Sequence, residues 1–346
     1  MRVLVGMSGG VDSSVAAALL LEQGHEVVGA TLKLWGGASD SGCCSVADVD
    51  DARRVAQQLC VAHHVFSFTD DFDEHVVAPY VADHAAGRTP NPCIECNRHL
   101  KFDRFLRRAT SLGFDAVATG HHARVAAVPN GFELRRGADQ AKDQSYVLHV
   151  LGQAQLARTL LPVGDLHKDE VRRRAAALGL RTAGKPDSQD VCFITASAGR
   201  AAFLAARTGL HPAEVVDGAG SVVGRVDAVE LVTVGQRRGL GAAGGTGRPR
   251  YAVKVDVPGR RVVVGDPADL LRDGVGVGSA SWVGAPPADG AAVLAQVSAH
   301  GAARPARWAP GRVVWDEPQQ AVAPGQAVVL YDAADPDRCL GGAAAT

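Results

Sequence analysis

Residues 3–14 read VLVGMSGGVDSS: an apolar run, a glycine-rich turn and the start of a segment rich in alanine and leucine that extends to Leu21. A strand that enters such a turn and continues into a helix presents free backbone N–H groups and a helix N-terminus to a phosphate group. Gly9 and Gly10 allow the backbone to approach an anion closely. Asp12 places a negative charge at this anion site, which is expected where a divalent cation accompanies the phosphates.

The spacing of this turn matches neither the Walker A motif nor G-x-G-x-x-G. Instead, SGGVDSS resembles the pyrophosphate loop (PP-loop) of ATP pyrophosphatases. Those enzymes split ATP into AMP and pyrophosphate while they adenylate a substrate oxygen. The alternative is an ordinary strand-to-helix turn that uses glycine for its backbone freedom.

Composition places the chain among globular proteins of two or three domains. It has 346 residues, of which 47% are hydrophobic, and a formal net charge of −1. No apolar run approaches the roughly 20 residues that span a bilayer, and the chain begins in a strand without a signal peptide. Seven unevenly spaced cysteines do not form the pattern of a secreted disulfide framework. We therefore expect a cytoplasmic protein without a membrane partner, whose RNA binding would depend on local patches.

The order of predicted elements divides the chain into three parts. Strands alternate with helices up to about residue 200, which predicts an α/β, Rossmann-like domain with a parallel sheet over residues 1–200. Beyond it, short alternating strands predict a small β-rich domain over 201–266 and a C-terminal β-barrel over 267–346. Within the first domain we expect a hairpin around Asn130-Gly131 and a helical stretch from Ser145 to Leu178, broken at Pro162 and Gly164.

Three cysteines lie in unusual settings. Cys93 and Cys96 occupy a proline-rich loop just before a basic helix, where a helix N-terminus lowers the pKa of a thiol and makes it more nucleophilic. Cys192 lies where a polar loop enters an apolar segment. A zinc site at Cys93-x-x-Cys96 is one alternative, but no second pair of ligands follows at the usual spacing. An iron–sulfur cluster held by all three is another, although such clusters usually have four cysteines.

The other cysteines have less informative settings. Cys60 falls at an apolar helix end and is predicted to be a core thiol, and Cys339 is predicted to pack in a late strand. Cys43 and Cys44 adjoin a glycine loop, and their sequence context assigns them no role.

Seven motifs in one order extend the resemblance to nearly the whole chain. They are SGGVDSS, GRTPNPCIECN, DAVATGHH, KDQSYVL, KPDSQDVCFI, VGQRRGLG and GQAVVLYD. Together they resemble the bacterial tRNA-specific 2-thiouridylase family. The resemblance implies that Mg-ATP adenylates O2 of the wobble uridine in glutamate, lysine and glutamine tRNAs. A cysteine persulfide, loaded by a cysteine desulfurase or a sulfur-relay protein, then gives 2-thiouridine, AMP and pyrophosphate.

The same resemblance implies roles for individual residues. Cys96 corresponds to the nucleophile and Cys192 to the cysteine that carries the persulfide, with Asp12 as a catalytic residue and the magnesium ligand through Mg-ATP. The implied ATP contacts are Gly6, Met7, Ser8, Gly9, Gly10, Val11, Asp12, Ser13, Leu32 and Gly120. The implied contacts to the target base are Asn91, Pro92 and Cys93, and those to tRNA are His121, Lys142, Asp143, Gln144 and Gln326.

Chemistry supports paired cysteines independently, because adenylation makes the C2 oxygen of uridine a good leaving group and a persulfide delivers sulfur that a second thiol can release. Two other functions remain open at this point. The first is another PP-loop enzyme, such as a 4-thiouridine synthase or an amidotransferase-like synthetase. The second is a tRNA-binding paralogue without catalytic activity.

One segment departs from the family pattern. The family usually has an Arg-Tyr-Arg-like stretch in its last domain, but residues 296–301 here read QVSAHG. We therefore expect tRNA binding to depend on the N-terminal half, including Arg104, Arg107 and Arg108, more than on His300.

Overall fold

The computed structural model describes residues 1–35, 45–187, 191–194, 199–241 and 249–346. Cys43 and Cys44 lie outside these ranges. The strands, numbered in chain order, are β1 (Arg2–Gly6), β2 (Glu26–Lys33), β3 (His63–Ser67), β4 (Ala116–Ala118), β5 (Ala123–Val128), β6 (Gly131–Arg136), β7 (Thr159–Leu160), β8 (Ala213–Val216), β9 (Val222–Val226), β10 (Tyr251–Asp256), β11 (Arg261–Gly265), β12 (Leu271–Trp282), β13 (Ala292–Gln296), β14 (Arg304–Ala309), β15 (Arg312–Gln320), β16 (Ala327–Asp332) and β17 (Arg338–Ala345).

The α-helices are numbered in the same way. They are α1 (Val11–Glu22), α2 (Val46–Gln58), α3 (Thr69–Phe72), α4 (Ala78–Ala85), α5 (Pro92–Glu95), α6 (Phe105–Ser111), α7 (Ser145–Leu148), α8 (Gln153–Leu156), α9 (Lys168–Ala177) and α10 (Gly199–Ala205). π-Helical turns at Asp73–Val77 and Cys96–Arg104 join α3 to α4 and α5 to α6, and 3₁₀ turns occur at Arg181–Gly184, Val229–Leu231 and Pro267–Leu270.

The N-terminal domain is built on a parallel sheet with the strand order β3-β2-β1-β4-β7. This confirms the predicted Rossmann-like fold. Its central strand β1 is apolar and buried because both faces of a parallel sheet are covered by helices. The order reverses between β1 and β4, so the loops that follow these two strands diverge and leave a crevice at their carboxyl ends.

The predicted helical stretch from Ser145 to Leu178 is wrong over Thr159–Leu160. These two residues form β7, which pairs in parallel with Val117 and Ala118 at the edge of the sheet. Pairing with a distant strand overrides the local helical pattern here.

The core assignment of Cys60 is also wrong, because its side chain is exposed. Cys60 has a φ of 56° and directly follows the C-cap of α2. Its N–H donates to Gln57 O, while the N–H of Val61 donates to Ala56 O. This Schellman arrangement ends the helix and directs the side chain of its left-handed residue outwards. Cys339, by contrast, is buried in β17 as expected.

The two following domains are both β-rich. The middle domain is a four-stranded sheet of order β10-β11-β8-β9. In the C-terminal domain, β12 pairs with both β15 and β17, which closes six strands into a barrel. The barrel encloses its own apolar core, which includes Trp308, Val313 and Trp315. Both domains agree with the fold class predicted from the sequence.

The predicted hairpin forms between β5 and β6, but it belongs to the barrel as well as to the first domain. Strand β6 pairs with β17 through Leu134 and Cys339, so the hairpin extends the barrel sheet to eight strands. Tyr331 of β16 packs in the same apolar cluster as residues of the parallel sheet. The barrel is thus fixed directly against the N-terminal domain.

In the described parts of the chain, none of the helices is both long and apolar enough to cross a membrane.

His149 leads to a prediction about stability. It is buried against Tyr146, whose carbonyl it contacts through Nδ1 at 2.7 Å, and burial lowers its pKa to about 4. An unfolded chain binds a proton at a pKa of about 6.5, so the free energy of unfolding should fall as the pH decreases from 6.5 to 4. His149→Asn should flatten this slope by up to about 1.4 kcal/mol per pH unit, measured by urea unfolding.

His64→Asn, at an exposed position, is the matched control for this measurement. A slope that is the same in wild type and His149→Asn would contradict the assignment.

Candidate functional site

A cavity of about 810 Å³ opens at the carboxyl ends of β1, β2 and β4. Most of the residues singled out from the sequence line it: Gly6, Met7, Ser8, Gly10, Val11, Asp12, Ser13, Leu32, Pro92, Cys93, Cys96, Gly120, His121, Lys142, Asp143, Gln144 and Cys192. The switch in strand order between β1 and β4 explains its position, since parallel sheets bind ligands at such crevices.

The loop between β1 and α1 is held by its own serines. Ser13 Oγ accepts from Ser8 N at 3.2 Å and contacts Gly10 O at the same distance. Ser14 Oγ donates to Gly10 O at 2.8 Å. No side chain caps α1, whose N-cap is Gly10. The helix therefore presents backbone N–H groups at the cavity, as an anion-binding loop requires.

Two glycines allow this loop its close packing. Gly9 has a φ of +72°, and a Cβ there would overlap the carbonyl oxygen of Asp48. Gly120, which follows β4, packs against the loop itself: a Cβ at this position would lie 2.5 Å from Ser13 N and 2.6 Å from Asp12 C. Gly120 therefore supports the loop through the absence of a side chain, and its contact with the nucleotide stays a prediction.

Asp12 is the centre of a charged cluster in the cavity. Lys168 Nζ donates to both of its carboxylate oxygens, at 2.8 and 2.7 Å, and His122 Nε2 lies 3.1 Å from Oδ1. Burial raises the pKa of Asp12, but the hydrogen bonds from His122 and Lys168 outweigh it and hold the pKa below the usual value. Lys168 is only 7% exposed, so the two charges stabilise each other away from solvent.

A second carboxylate, Asp187, extends this cluster towards the Cys192 segment. Its partners are Lys142 at 2.8 Å, Lys168 at 2.9 Å and Arg172 at 2.7 Å. Burial raises the pKa of Asp187, but its hydrogen bonds to Lys142 and Lys168 outweigh this effect and bring the pKa down to about 2. One ionised carboxylate therefore holds two lysines that border the cavity.

Lys185 fixes the beginning of the same segment. Its Nζ donates to the carbonyl of Gly9 at 3.0 Å and to the carboxylates of Asp48 and Asp51 at 2.6 and 2.8 Å. The PP-loop, α2 and the chain that leads to Cys192 therefore meet at a single ammonium group.

The two predicted reactive cysteines border the same cavity from different elements. Asn91 caps the helix of Cys96 by accepting a hydrogen bond from Cys93 N at 3.0 Å, and Pro92 occupies the first position of that helix. The prediction that Cys93 and Cys96 lie in a loop before the basic helix is wrong, because the Asn91 cap and Pro92 start the helix ahead of both cysteines. Cys96 is buried within this helix, and Cys192 is partly buried on the opposite segment.

Most of the predicted tRNA-contact residues line the cavity, and one lies outside it. Gln144 Oε1 accepts from His122 N at 2.9 Å, which ties it to the Asp12 cluster. Burial lowers the pKa of His121 well below its usual value, so its ring, 2.7 Å from Thr119 Oγ1, is neutral at pH 7. Gln326 is not in the cavity wall, since it turns back to bond Ala323 before β16. Gly9 and Asn91 also stand behind the wall, as supports.

Two arginines of the basic helix pair with nearby carboxylates. Arg104 pairs with Asp71 at 2.8 Å and Arg107 with Asp103 at 2.7 Å. His300 of the QVSAHG segment also lines the cavity, because the barrel is fixed against the first domain. The expectation that tRNA binding depends more on the N-terminal half stays a prediction.

Sequence reasoning missed several residues of the cavity wall. Lys168 was not singled out from the sequence, although its Nζ makes the shortest contact to Asp12, at 2.7 Å. His122 and Asp187 lie inside motifs that carry the resemblance, and that position was their only signal. Asn97, one residue after Cys96, is buried and donates to Val147 O at 3.0 Å.

Family models match three consecutive parts of the chain. Residues 1–196 match the tRNA methyl transferase HUP domain, 201–266 the tRNA methyl transferase PRC-barrel domain, and 272–345 the aminomethyltransferase beta-barrel domain. These descriptions cover the three structural units in order, and the first of them contains the cavity loop and all three cysteines of the cavity.

Two curated relatives resemble the chain over nearly its full length. A tRNA-specific 2-thiouridylase MnmA of Acidothermus cellulolyticus is 48% identical over 96% of this chain and 94% of its own. The protein of the same name from Roseiflexus sp. is 44% identical over 99% of this chain and 98% of its own. The chain belongs to the tRNA-specific 2-thiouridylase MnmA family. Although the family models are described as methyl transferases, the relatives matched over full length are named as thiouridylases, and this more specific match decides the family.

A solved structure with a weaker likeness is a 4-thiouridine synthetase–RNA complex with bound ATP. It is 17% identical with a TM-score of 0.38, over 56% of this chain and 44% of its own.

Membership of the MnmA family implies use of ATP through the PP-loop. Within the described ranges, no three His, Cys, Asp or Glu side chains are grouped so that they could hold a metal ion. Because Lys168 and His122 already occupy the carboxylate of Asp12, this side chain fits magnesium only as one ligand beside the phosphates of ATP. The magnesium and iron–sulfur predictions therefore stay predictions.

The packing of Gly120 on the loop predicts a loss of ATP binding on substitution. Gly120→Ala forces the backbone of Asp12 and Ser13 to move, because a Cβ has no room beside Ser13 N. We expect ATP affinity, measured by calorimetry, to fall by on the order of tenfold. Gly284→Ala, where a Cβ meets nothing within 4 Å, is the matched control. Equal ATP affinity in both variants would contradict this role for Gly120.

Proposed function

We propose that this protein is a tRNA 2-thiouridylase that activates the wobble uridine with ATP and replaces its O2 by sulfur from a persulfide on Cys192. One observation carries the proposal: the PP-loop, Cys96 and Cys192 line a single cavity. The full-length similarity to MnmA proteins supports it. A glycine-rich turn alone would not need two cysteines, and a thiol exchange site alone would not need a PP-loop.

In the first step, the uridine O2 attacks the α-phosphorus of ATP, and pyrophosphate leaves. The N–H groups at the start of α1 and the ammonium groups of Lys168 and Lys142 are placed to stabilise the negative charge that develops. Asp12 orients Lys168 through two hydrogen bonds. Magnesium that enters with ATP would have Asp12 as its protein ligand and would supply further charge neutralisation.

In the second step, the terminal sulfur of the Cys192 persulfide attacks C2 of the uridine, and AMP leaves with the former O2. The thiolate of Cys96 then attacks Sγ of Cys192, which forms a Cys96–Cys192 disulfide and releases the thiocarbonyl. A thiol reductant returns the two electrons, and a cysteine desulfurase or a sulfur-relay protein supplies the next sulfur. The two cysteines come from different parts of the chain, one from an ordered helix and one from a distant segment. This exchange is possible because both line the same cavity.

The substrate is a tRNA, and we propose the glutamate, lysine and glutamine tRNAs as acceptors in the cytoplasm. Pro92 and Cys93 line the cavity beside Cys96, and we propose that the target base binds there, with Asn91 capping the helix that carries them. His121, Lys142 and Gln144 line the cavity in which we propose that ATP binds, and Gln326 would contact tRNA outside the cavity. The neutral ring of His121 suits a hydrogen bond to a base or ribose better than a phosphate contact.

The decisive experiment incubates the protein with tRNA, ATP and a sulfur source and separates the tRNA nucleosides by liquid chromatography with mass spectrometry. 2-Thiouridine, together with AMP, supports the proposal. The isomeric 4-thiouridine, which elutes separately, would assign the chain to another PP-loop reaction. Binding of tRNA without release of AMP would identify a paralogue without catalytic activity.

Asp12 provides a test of the nucleotide step. Asp12→Asn removes the charge that pairs with buried Lys168, so the lysine is left without its closest partner. We expect tRNA-dependent pyrophosphate release to fall by on the order of a hundredfold. The matched control is Asp169→Asn, which makes the same charge change at the exposed neighbour of Lys168. Substantial release by Asp12→Asn would remove Asp12 from the mechanism.

The roles of Cys96 and Cys192 can be distinguished by the intermediates that accumulate when each is substituted. Cys192→Ser should accept no persulfide but still release pyrophosphate with tRNA. Cys96→Ser should carry the persulfide on Cys192 and yet give no thiolated tRNA, since no thiol releases the product. Both are read by mass spectrometry of the protein and of tRNA nucleosides, and Cys60→Ser, at an exposed position, is the control.

Wild-type thiolation in both mutants would refute the assignment. Loss of activity in Cys93→Ser, with an iron–sulfur absorption band in protein prepared without oxygen, would favour a cluster held by Cys93, Cys96 and Cys192 instead.

A further inference from the structure

The carboxylate of Asp143 lies where the cavity wall meets the C-terminal barrel. Its side chain is 5% exposed. Oδ1 accepts from the backbone N–H groups of Gly137 and Ser145, both at 3.0 Å. Oδ2 accepts from Arg136 Nη1 and from Ser145 Oγ, both at 2.8 Å. Since an ionised carboxylate has about four lone-pair positions, these four donors use its accepting capacity in full.

Arg136 connects this carboxylate to the barrel. Its Nη2 donates to Gln296 Oε1 at 2.8 Å, and its guanidinium carbon lies 3.6 Å from the ring centroid of Tyr331. The hydroxyl of Tyr331 is 3.0 Å from Ser145 Oγ. The guanidinium group therefore makes a planar bridge between Asp143 and two barrel strands, which a lysine could not reproduce.

On the side away from the barrel, the sequence neighbours of Asp143, Lys142 and Gln144, contact residues of the cavity. Lys142 pairs with Asp187 at 2.8 Å. Gln144 bonds both backbone groups of His122, through its side chain at 2.9 Å and its own N–H at 2.8 Å. His122 contacts Asp12. Hydrogen bonds, joined by the backbone between Lys142 and Gln144, thus connect the barrel to the PP-loop.

We propose that Asp143 is a positioning residue, through which Arg136 and the barrel fix Lys142 and Gln144 in place for tRNA. The inference rests on the proposed function for the role of Lys142 and Gln144, and it assigns Asp143 a different role from its neighbours. Asp143 borders the cavity, but its carboxylate is engaged within the chain rather than offered to a substrate. Arg136 is not among the residues that line the cavity, and its guanidinium group is engaged by Asp143, Gln296 and Tyr331, so we expect its substitution to act through Asp143 or the barrel.

The test compares tRNA binding by Asp143→Asn, Arg136→Lys and the double variant. Asp143→Asn places an amide NH₂ group against N–H donors, and Arg136→Lys keeps the charge but loses the bridge. We expect each single variant to weaken tRNA binding by on the order of tenfold, and the double variant to be no weaker than the singles. Displacement of Lys142 should also lower the log–log salt slope by somewhat less than one unit.

The matched control is Asp335→Asn. Asp335 accepts two hydrogen bonds from Arg135, the neighbour of Arg136 on β6, both at 2.8 Å. It joins the same hairpin to the barrel but is outside the cavity wall. We expect its tRNA affinity and salt slope to match the wild type, with thermal unfolding recorded for every variant.

Two results would overturn the inference. Wild-type tRNA binding by Arg136→Lys beside weak binding by Asp143→Asn would show that Asp143 contacts the tRNA directly. An equal loss in Asp335→Asn would show that the junction acts only through general stability. The measurement is tRNA binding, so its result does not depend on whether the bound tRNA is thiolated. Failure of the proposed function would appear separately, as the absence of 2-thiouridine in the reaction of the wild type. If Asp143→Asn does not fold, wild-type tRNA binding by Arg136→Lys overturns the inference, and weaker binding by Arg136→Lys with unchanged binding by Asp335→Asn supports it.

Discussion

The ion pair between Lys168 and Asp12 is the interaction on which the rest of the site depends. Lys168 is buried and Asp12 is partly buried, so removal of Asp12 leaves the lysine as a costly buried charge. Lys168 also reaches Asp187, and Asp187 holds Lys142. The start of α1, the start of α9, the Cys192 segment and the Lys142–Gln144 wall are therefore joined by four side chains.

This charge network also explains how a protein with a net charge of −1 could bind the triphosphate of ATP. The cations of the site are already gathered and oriented by carboxylates, so that no long side chain has to be ordered when a phosphate group arrives. Preorganised charge of this kind is more effective than charge that must be collected during the reaction. Phosphate binding then depends on the local arrangement of charges and not on the overall charge of the protein.

Local sequence predicted the parts of the structure that local physics controls. The strand, turn and helix around Gly9 and Gly10 follow from apolar pattern and glycine freedom, and the hairpin at Asn130-Gly131 follows from turn chemistry. The family resemblance singled out Cys96 and Cys192, and both line the same cavity. Their roles in the reaction stay predictions.

What the sequence did not predict depends on partners distant in the chain. The bond between Lys168 and Asp12 joins residues 156 positions apart. The residues next to Lys168 in the sequence do not indicate that it pairs with a carboxylate. The helical pattern near Thr159 was overridden by pairing with β4. His300 reaches the cavity because the barrel packs against the first domain, a contact that no local motif encodes.

The pairing of β6 with β17 has a consequence for how the chain acquires its structure during synthesis. Arg135 and its partner Asp335 are 200 positions apart, so the ribosome completes the entire middle domain and most of the barrel before the hairpin finds its neighbour. Until then β6 presents an unpaired strand edge, which is a template for wrong associations. Contacts of such long range also form slowly. A nascent chain therefore has a PP-loop domain long before it has a finished cavity, and a chaperone that shields this edge would act on the interval between the two.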